Sequence, residues 1–394
     1  MKTEALLLKN VRLISPQTII EDASVLIENE RITRINFNND TPQELSNAYD
    51  LRQTTLYPGF IDLHIHGAVG IDANAADADG LHKVARFLAK NGVTSWLPTL
   101  VPDSEENYQR AIEAIDALVR TQTERAPAAH ALGVHYEGPY VSEKQCGALH
   151  TEFFKTFTDS EDLKSLPRLQ SGAIHLTTLA PEIAGGVELI EELVKQGWIV
   201  SIGHTRATAE ILDRALRAGA RHMTHFMNAM SPLHQRAPGP IGWGLLNKEV
   251  GVDIIADGVH LDPLVLKLIL RCKSAERVSL ISDAVAATGL GDGEYDIWGE
   301  TIMVEHGRTR NARGSIAGSV STMLDAVRMM LSLDVPAEDV ARMASTNPAR
   351  LLGLDTDYGS IEEGKRADLV ALDDEGRVRL TLIGGKVAFE DNPG

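Results

Sequence analysis

The segment from Pro58 to Gly67, PGFIDLHIHG, sets the reading of the fold. It is a short, nearly continuous apolar run that carries two polar residues, His64 and His66, at its carboxyl end. Such a run suits a strand of a parallel sheet covered on both faces, which need not alternate apolar and polar positions. Seven further runs of this kind follow: VTSWLPTL, ALGVHYEG, IHLTTLAP, WIVSIGHT, HMTHFMNA, VDIIADGV and VSLISDAV. Amphipathic helical patterns separate several of them. Asp103 and Glu106 read as a D-x-x-E capping box ahead of Ala111, Ile112, Ile115, Leu118 and Val119. Asp262 and Pro263 read as the cap and first residue of another helix, and Gly197 and Gly219 as the ends of two more. Together these predict an α/β fold, a (β/α)8 barrel, with an open doubly wound sheet as the structural rival.

Outside the barrel the texture changes. Residues 5–37 and the stretch from Lys365 onward are short β-branched and aliphatic runs divided by turn residues, the pattern of hairpins. The two terminal segments are therefore expected to pair into one small β domain beside the barrel. The composition, 43% apolar and 24% charged over 394 residues, is that of a globular protein. A net charge of −17 without any Lys/Arg run disfavours a nucleic-acid partner, although a local basic pocket remains compatible with it. The two cysteines, Cys146 and Cys272, exclude a disulfide framework and suit a reducing compartment. The leucine run near the start is broken by Lys9, and no window reaches the ~18 apolar residues of a membrane span. A cytoplasmic protein with no membrane partner is expected.

In a barrel, chemistry sits at the carboxyl ends of the strands, and there the polar residues of this chain collect. His64 and His66 close the first run, His135 and Glu137 the third, His204 the fifth and His225 the sixth. Asp257 and then His260 follow the seventh, and Asp283 the eighth. Residues i and i+2 of a strand share a face, so both imidazoles of the H-x-H aim at one point. An isolated H-x-H is more often a pair of hydrogen-bonded core histidines than a ligand pair; the convergence of Glu137, His204, His225 and Asp283 reverses that balance. Histidine and carboxylate with an open position is the donor set of catalytic zinc and related divalent ions.

The segments PGFIDLHIHG, HYEGPY, TLAPE, SIGHT, THFMNAM, IADGVH, ISDA and STNPARLLG follow one another along essentially the whole chain. In that order they resemble the landmarks of the N-acetylglucosamine-6-phosphate deacetylases of the amidohydrolase superfamily. The most specific are E-G-P at 137–139 and H-x-x-N-A-M at 225–230. The resemblance implies a barrel over residues 57–350 flanked by a small β-sandwich domain of residues 1–56 and 351–394, and Glu137, His204 and His225 as principal metal ligands, with His64 and His66 available for a second divalent ion. Zinc is expected, with iron, manganese or cobalt as alternatives. Ring-opening relatives use a carboxylated lysine on the fourth strand; IHLTTLAP has none, so Glu137 would bridge instead.

The resemblance further implies Asp283 as general acid and base and His150 as a second stabiliser of the oxyanion. The loop CGALH is one residue longer than the family's G-x-H, so either it bulges and His150 reaches in or another group takes its place. Arg236 and His260 are carried onto the phosphate, one such residue coming across a dimer interface in some relatives. Asn228, the Ala229 backbone and the loop at Ile316, Ala317 and Gly318 are carried onto the sugar. The expected protein is a homodimeric, metal-dependent hydrolase that converts N-acetylglucosamine 6-phosphate to glucosamine 6-phosphate and acetate. Rival expectations are a related N-acetyl sugar (N-acetylgalactosamine 6-phosphate or an unphosphorylated one), a ring-opening amidohydrolase, or an inactive scaffold.

Overall fold

A computed structural model describes residues 5–36 and 47–391. Each of the eight apolar runs contains a strand: Phe60–Ile65, Val93–Leu100, Gly133–Glu137, Ile174–Leu179, Ile199–Ile202, His222–Met223, Gly251–Ile255 and Val278–Ile281. They pair in parallel in sequence order. The ends of the series then meet. Asp283 N donates to His64 O at 2.9 Å, His66 N donates to Ala284 O at 2.8 Å, and Ser282 Oγ donates to the buried Asp62 Oδ2 at 2.5 Å. These bonds bring the eighth strand back to the first, which an open doubly wound sheet does not do. Every residue of the first, second, third and eighth strands is buried, which is why their sequences do not alternate. Ile61, Leu63, Leu97, Leu176, Ile255 and Ile281 pack with Ala349 and Leu352 in one apolar cluster.

Local chemistry ends most helices where the sequence implies. Asp262 accepts from Leu264 N at the start of Pro263–Lys273, and Gly219, at φ 118°, ends Ala209–Ala218. One cap differs. Helix Glu105–Thr121 is capped by Ser104, whose side chain accepts from Asn107 N, so the Asp103/Glu106 box does not form. Asp103 Oδ1 instead accepts from Ser104 N and from Asn107 Nδ2, both at 2.7 Å. With Ser104 at the N-cap, Glu106 falls one position short of the place a box needs.

The two chain ends share an eight-stranded sheet. Thr54–Pro58 lies within it, parallel to Ala5–Ser15 on one side and antiparallel to Leu369–Asp373 on the other. Ile32, near one end of the strand order, and Leu380 and Leu382, near the other, belong to one buried cluster, so the sheet folds over its own core. A further antiparallel sheet, Gly293–Ile297, Glu300–Glu305 and Arg308–Arg310, follows the eighth barrel strand and was not anticipated. Its Ile297, Ile302 and Val304 pack on Val285, Ala286, Ala287 and Ala317 beside the barrel mouth. Among the described residues no helix is long and apolar enough to cross a membrane, and both cysteines are free thiols.

Candidate metal centre

Six side chains from five strands converge at the barrel mouth. Glu137, ending the third strand, stands between two pairs of imidazoles. Its Oε1 is 2.8 Å from Nε2 of both His204 and His225, and its Oε2 is 3.2 Å from His66 Nε2 and 3.6 Å from His64 Nε2. Asp283 Oδ1 is 3.4 Å and 3.3 Å from the same two nitrogens of His64 and His66. The result is two buried triads, His64/His66/Asp283 and Glu137/His204/His225, each with donor atoms within 4.8 Å of one another.

Tautomers decide what can sit between them. His66 Nδ1 lies 3.2 Å from Thr99 O and His204 Nδ1 2.7 Å from Gln145 O. A carbonyl only accepts, so these Nδ1 atoms carry the hydrogen and each neutral ring turns its Nε2 lone pair inward. Lone pairs then face carboxylate oxygens and each other; the Nε2 atoms of His64 and His66, like those of His204 and His225, are 3.1 Å apart. Only positive charge reconciles that arrangement. With protons alone, burial would lower His66, but its hydrogen bonds to Asp283 and Glu137 push it up to about 10; burial opposed by Glu137 leaves His225 at about 9. Burial would raise Glu137 and Asp283, yet the neighbouring imidazoles, His64 foremost, hold both below the usual carboxylate range. Divalent ions would meet the same demand. Ligands 2.0–2.2 Å from a tetrahedral ion are roughly 3.4 Å apart, close to the spacings here, so the donor set fits a metal.

The backbone is bent to achieve this. His204, His225 and Asp283 have φ of 46°, 30° and 50°, in the left-handed region that non-glycine residues avoid, at roughly 1–3 kcal/mol each. Local partners hold the turns: Asp253 accepts from His225 N and, at 3.1 Å, from His222 Nε2, while Ser142 N donates to His204 O at 3.1 Å. The turn also explains why the sixth strand is only His222–Met223. His135 takes no part in the centre. It donates from Nδ1 to Leu63 O at 2.9 Å, its Nε2 is 2.7 Å from Thr178 Oγ1, and burial keeps it neutral.

Above the triads lies a cavity of about 340 Å³ whose wall includes His66, Glu137, His204, His225 and Asp283. Asn228, Ala229, His260, Ile316 and Gly318 also line it, whereas Ala317 is fully buried beside it. Asn228 Nδ2 is buried without a partner, and His260 Nδ1 is fixed by Asp257 Oδ2 at 2.7 Å. Gly318 has φ 58°, and a Cβ there would come within 2.5 Å of Val285 Cγ1 and 2.9 Å of Asp283 O, so no other residue lets the chain pass so close to Asp283. His150 and Arg236 also stay off the wall. His150 turns behind the loop, with Nδ1 3.3 Å from Glu152 Oε1, while Ala148 and Leu149 take the lining positions that the longer loop provides. Arg236 is exposed on the Pro232–Pro238 loop. Residues not singled out from sequence also line the cavity: Lys144, its sole Lys or Arg, and Trp298 from the unanticipated sheet. A larger depression of about 640 Å³ among Arg12, Glu21, Arg52 and Asp374 on the terminal sheet contains none of the six converging side chains.

Comparison with known proteins accords with this geometry. The amidohydrolase family profile matches residues 55–388. The chain is 34% identical over 387 residues, 98% of each chain, to the N-acetylglucosamine-6-phosphate deacetylase of Bacillus subtilis strain 168. It is 38% identical over 335 residues to the N-acetylgalactosamine-6-phosphate deacetylase of Escherichia coli O157:H7, covering 84% of this chain and 87% of that one. The crystal structure of N-acetylglucosamine-6-phosphate deacetylase from Thermotoga maritima superposes with a TM-score of 0.87 at 32% identity, covering 98% of this chain and all of that one.

Proposed function

The chain belongs to the amidohydrolase family, and from that membership we propose that it deacetylates N-acetylglucosamine 6-phosphate, giving glucosamine 6-phosphate and acetate. The observation that carries the chemistry is Glu137 shared between two His/carboxylate triads, with Asp283 on the far side of the same cavity floor.

Glu137, His204 and His225 would hold the principal divalent ion, and His64 and His66 with Asp283 a second. Zinc suits this nitrogen-rich set without thiolates. Such an ion supplies a polarised carbonyl and a water acidified towards neutral pH. Asp283, kept ionised by the imidazoles beside it, accepts the proton of the attacking water and returns it to the sugar nitrogen as the C–N bond breaks. The unpartnered Asn228 Nδ2 and the left-handed Ala229 orient the sugar, with the loop at Ile316 to Gly318 facing them across the cavity. His260, oriented by Asp257, meets the phosphate. His150 enters as an oxyanion donor only if the Ser142–His150 loop moves, since its ring now faces Glu152 and Glu300.

The protein acts as a homodimer in this reading. Leu246 (79% exposed) and, on the next helix, Leu264 (77%) and Leu268 (44%) are exposed large apolar side chains, as is Leu233 (54%) on the loop of Arg236, and they are the candidates for its interface. An interface at Leu233 would include Arg236, the exposed arginine that in this reading reaches the phosphate in the partner's site. Two free thiols suit a cytoplasmic setting.

A second substrate reading is favoured by the 38% identity to an N-acetylgalactosamine-6-phosphate deacetylase. Acetate release measured across both N-acetylhexosamine 6-phosphates and their unphosphorylated forms, with metal content determined on the same sample, separates the two. No release from any phosphosugar, or full release from metal-free protein, would refute the proposal.

A further inference from the structure

We propose that Trp298 is the acyl-size gate of the site: its indole ring is the wall against which the substrate's N-acyl methyl packs, and it restricts cleavage to short acyl amides. The inference rests on the deacetylase reading and adds a specificity-determining residue to it.

The starting observation is a hairpin built against its own preferences. Ile297 pairs with Glu300, leaving Trp298 and Gly299 as a two-residue loop with φ of 54° and 73°. Positive φ at both central positions is the geometry in which Asn-Gly or Asp-Gly is favoured, and a bulky aromatic residue is an outlier there. Strain of this kind survives where the surroundings hold it in place, and it collects at working sites. Here the surroundings are those of the active site. The indole reaches out of its sheet, meets the His66 ring edge-to-face with centroids 5.1 Å apart at 83°, and lines the cavity. It also packs on two apolar clusters at once, that of its own sheet and that of Val101, Val141 and Leu149 around the Ser142–His150 loop.

The orientation of the ring says which part faces substrate. Its Nε1 is buried with no hydrogen-bond partner and so does not face the cavity. The polar edge is thus turned away, and ring carbon is what remains for the cavity. A scissile amide has three substituents on or around its carbonyl carbon to accommodate. The nitrogen must lie near Asp283, and the sugar beyond it takes the polar wall of Asn228 and His260. The oxygen would turn towards the divalent ion that Glu137, His204 and His225 would hold. The apolar wall left for the acyl carbon is Trp298 with Leu149 and Ala148, and each added methylene would have to displace a ring wedged between His66 and Leu149.

The test measures kcat/KM for the N-acetyl, N-propionyl and N-butyryl derivatives of glucosamine 6-phosphate with the wild type, Trp298→Phe and Trp298→Ala, and the metal content of each. The wild type should prefer acetyl. Trp298→Ala should raise the butyryl-to-acetyl ratio by ~10-fold or more, the scale on which a pocket discriminates methylenes, with Trp298→Phe in between. Should the Ala variant lose metal, Trp298→Leu, a smaller apolar plug, carries the same expectation. A ratio that stays constant while all three rates fall together overturns the gate and leaves a purely structural tryptophan, as does a wild type indifferent to acyl length. A wild type that releases no carboxylate from any of the three refutes the deacetylase reading itself, and the gate with it.

Discussion

Glu137 is the residue on which both halves of the centre depend, because its two oxygens serve different histidine pairs. Asp283 serves neither pair as closely and is the better placed of the two carboxylates to move a proton. Asp283→Asn should therefore lower acetate release by about 10²–10⁴-fold while the Glu137/His204/His225 ion remains bound; unchanged turnover at full metal content would remove Asp283 from the mechanism. His64→Asn with His66→Asn should cost one equivalent of metal and spare the other, as read by elemental analysis of the purified variant. Metal uptake itself should depend on pH. Without metal His66 and His225 titrate near 10 and 9, so at neutral pH both are protonated and an incoming ion must displace those protons. Apparent affinity should then rise from pH 6 towards 9 and fall in acid, and calorimetry in buffers of different ionisation enthalpy should register proton release; a pH-independent affinity would contradict the raised affinity of His66 and His225 for protons. These six side chains were legible in sequence because ligand chemistry restricts residue type. The left-handed turns at His204, His225 and Asp283 were not, since histidine and aspartate carry no signal for φ as glycine does.

At the scale of elements, apolar runs located the strands well, and capping residues located helix ends to within a position. The correction at helix Glu105–Thr121 shows the limit: Asp103 and Ser104 are both good caps, and only the backbone reveals that Ser104 holds Asn107 N while Asp103 braces Asn107 Nδ2. Ser104→Ala should cost about 1 kcal/mol in urea unfolding, and a variant with no loss would return the cap to Asp103. The antiparallel sheet over Gly293–Arg310 was missed although its strands alternate exposed and buried residues, as in Glu300–Glu305. The reason is positional. A hairpin inserted between the last barrel strand and the closing helices looks like loop when the eight-strand count is already complete, and Trp298 entered the cavity unnoticed with it.

For the whole molecule, the barrel and the sheet of the two termini were readable from texture. The proposed association of copies was readable only by analogy, because the exposure of Leu233, Leu246, Leu264 and Leu268 is visible in three dimensions and not in sequence. Leu246→Glu with Leu264→Glu should convert a dimer to monomers in light scattering and weaken binding of the phosphosugar; an unaltered mass would place the interface elsewhere. The terminal sheet has a consequence for how the protein is made. Pro58 pairs with Leu369, roughly three hundred residues downstream, and the strand from Thr54 to Pro58 leads directly into the first barrel strand. At roughly 5–20 residues per second a ribosome delivers that partner only after some 15–60 s. Throughout that interval the amino-terminal strands present an open hydrogen-bonding edge and half of an apolar core, beside a barrel that is itself being completed. The nascent chain is thus most exposed to misassociation late in its synthesis, and cells short of chaperones should lose it to aggregation before they lose the finished enzyme.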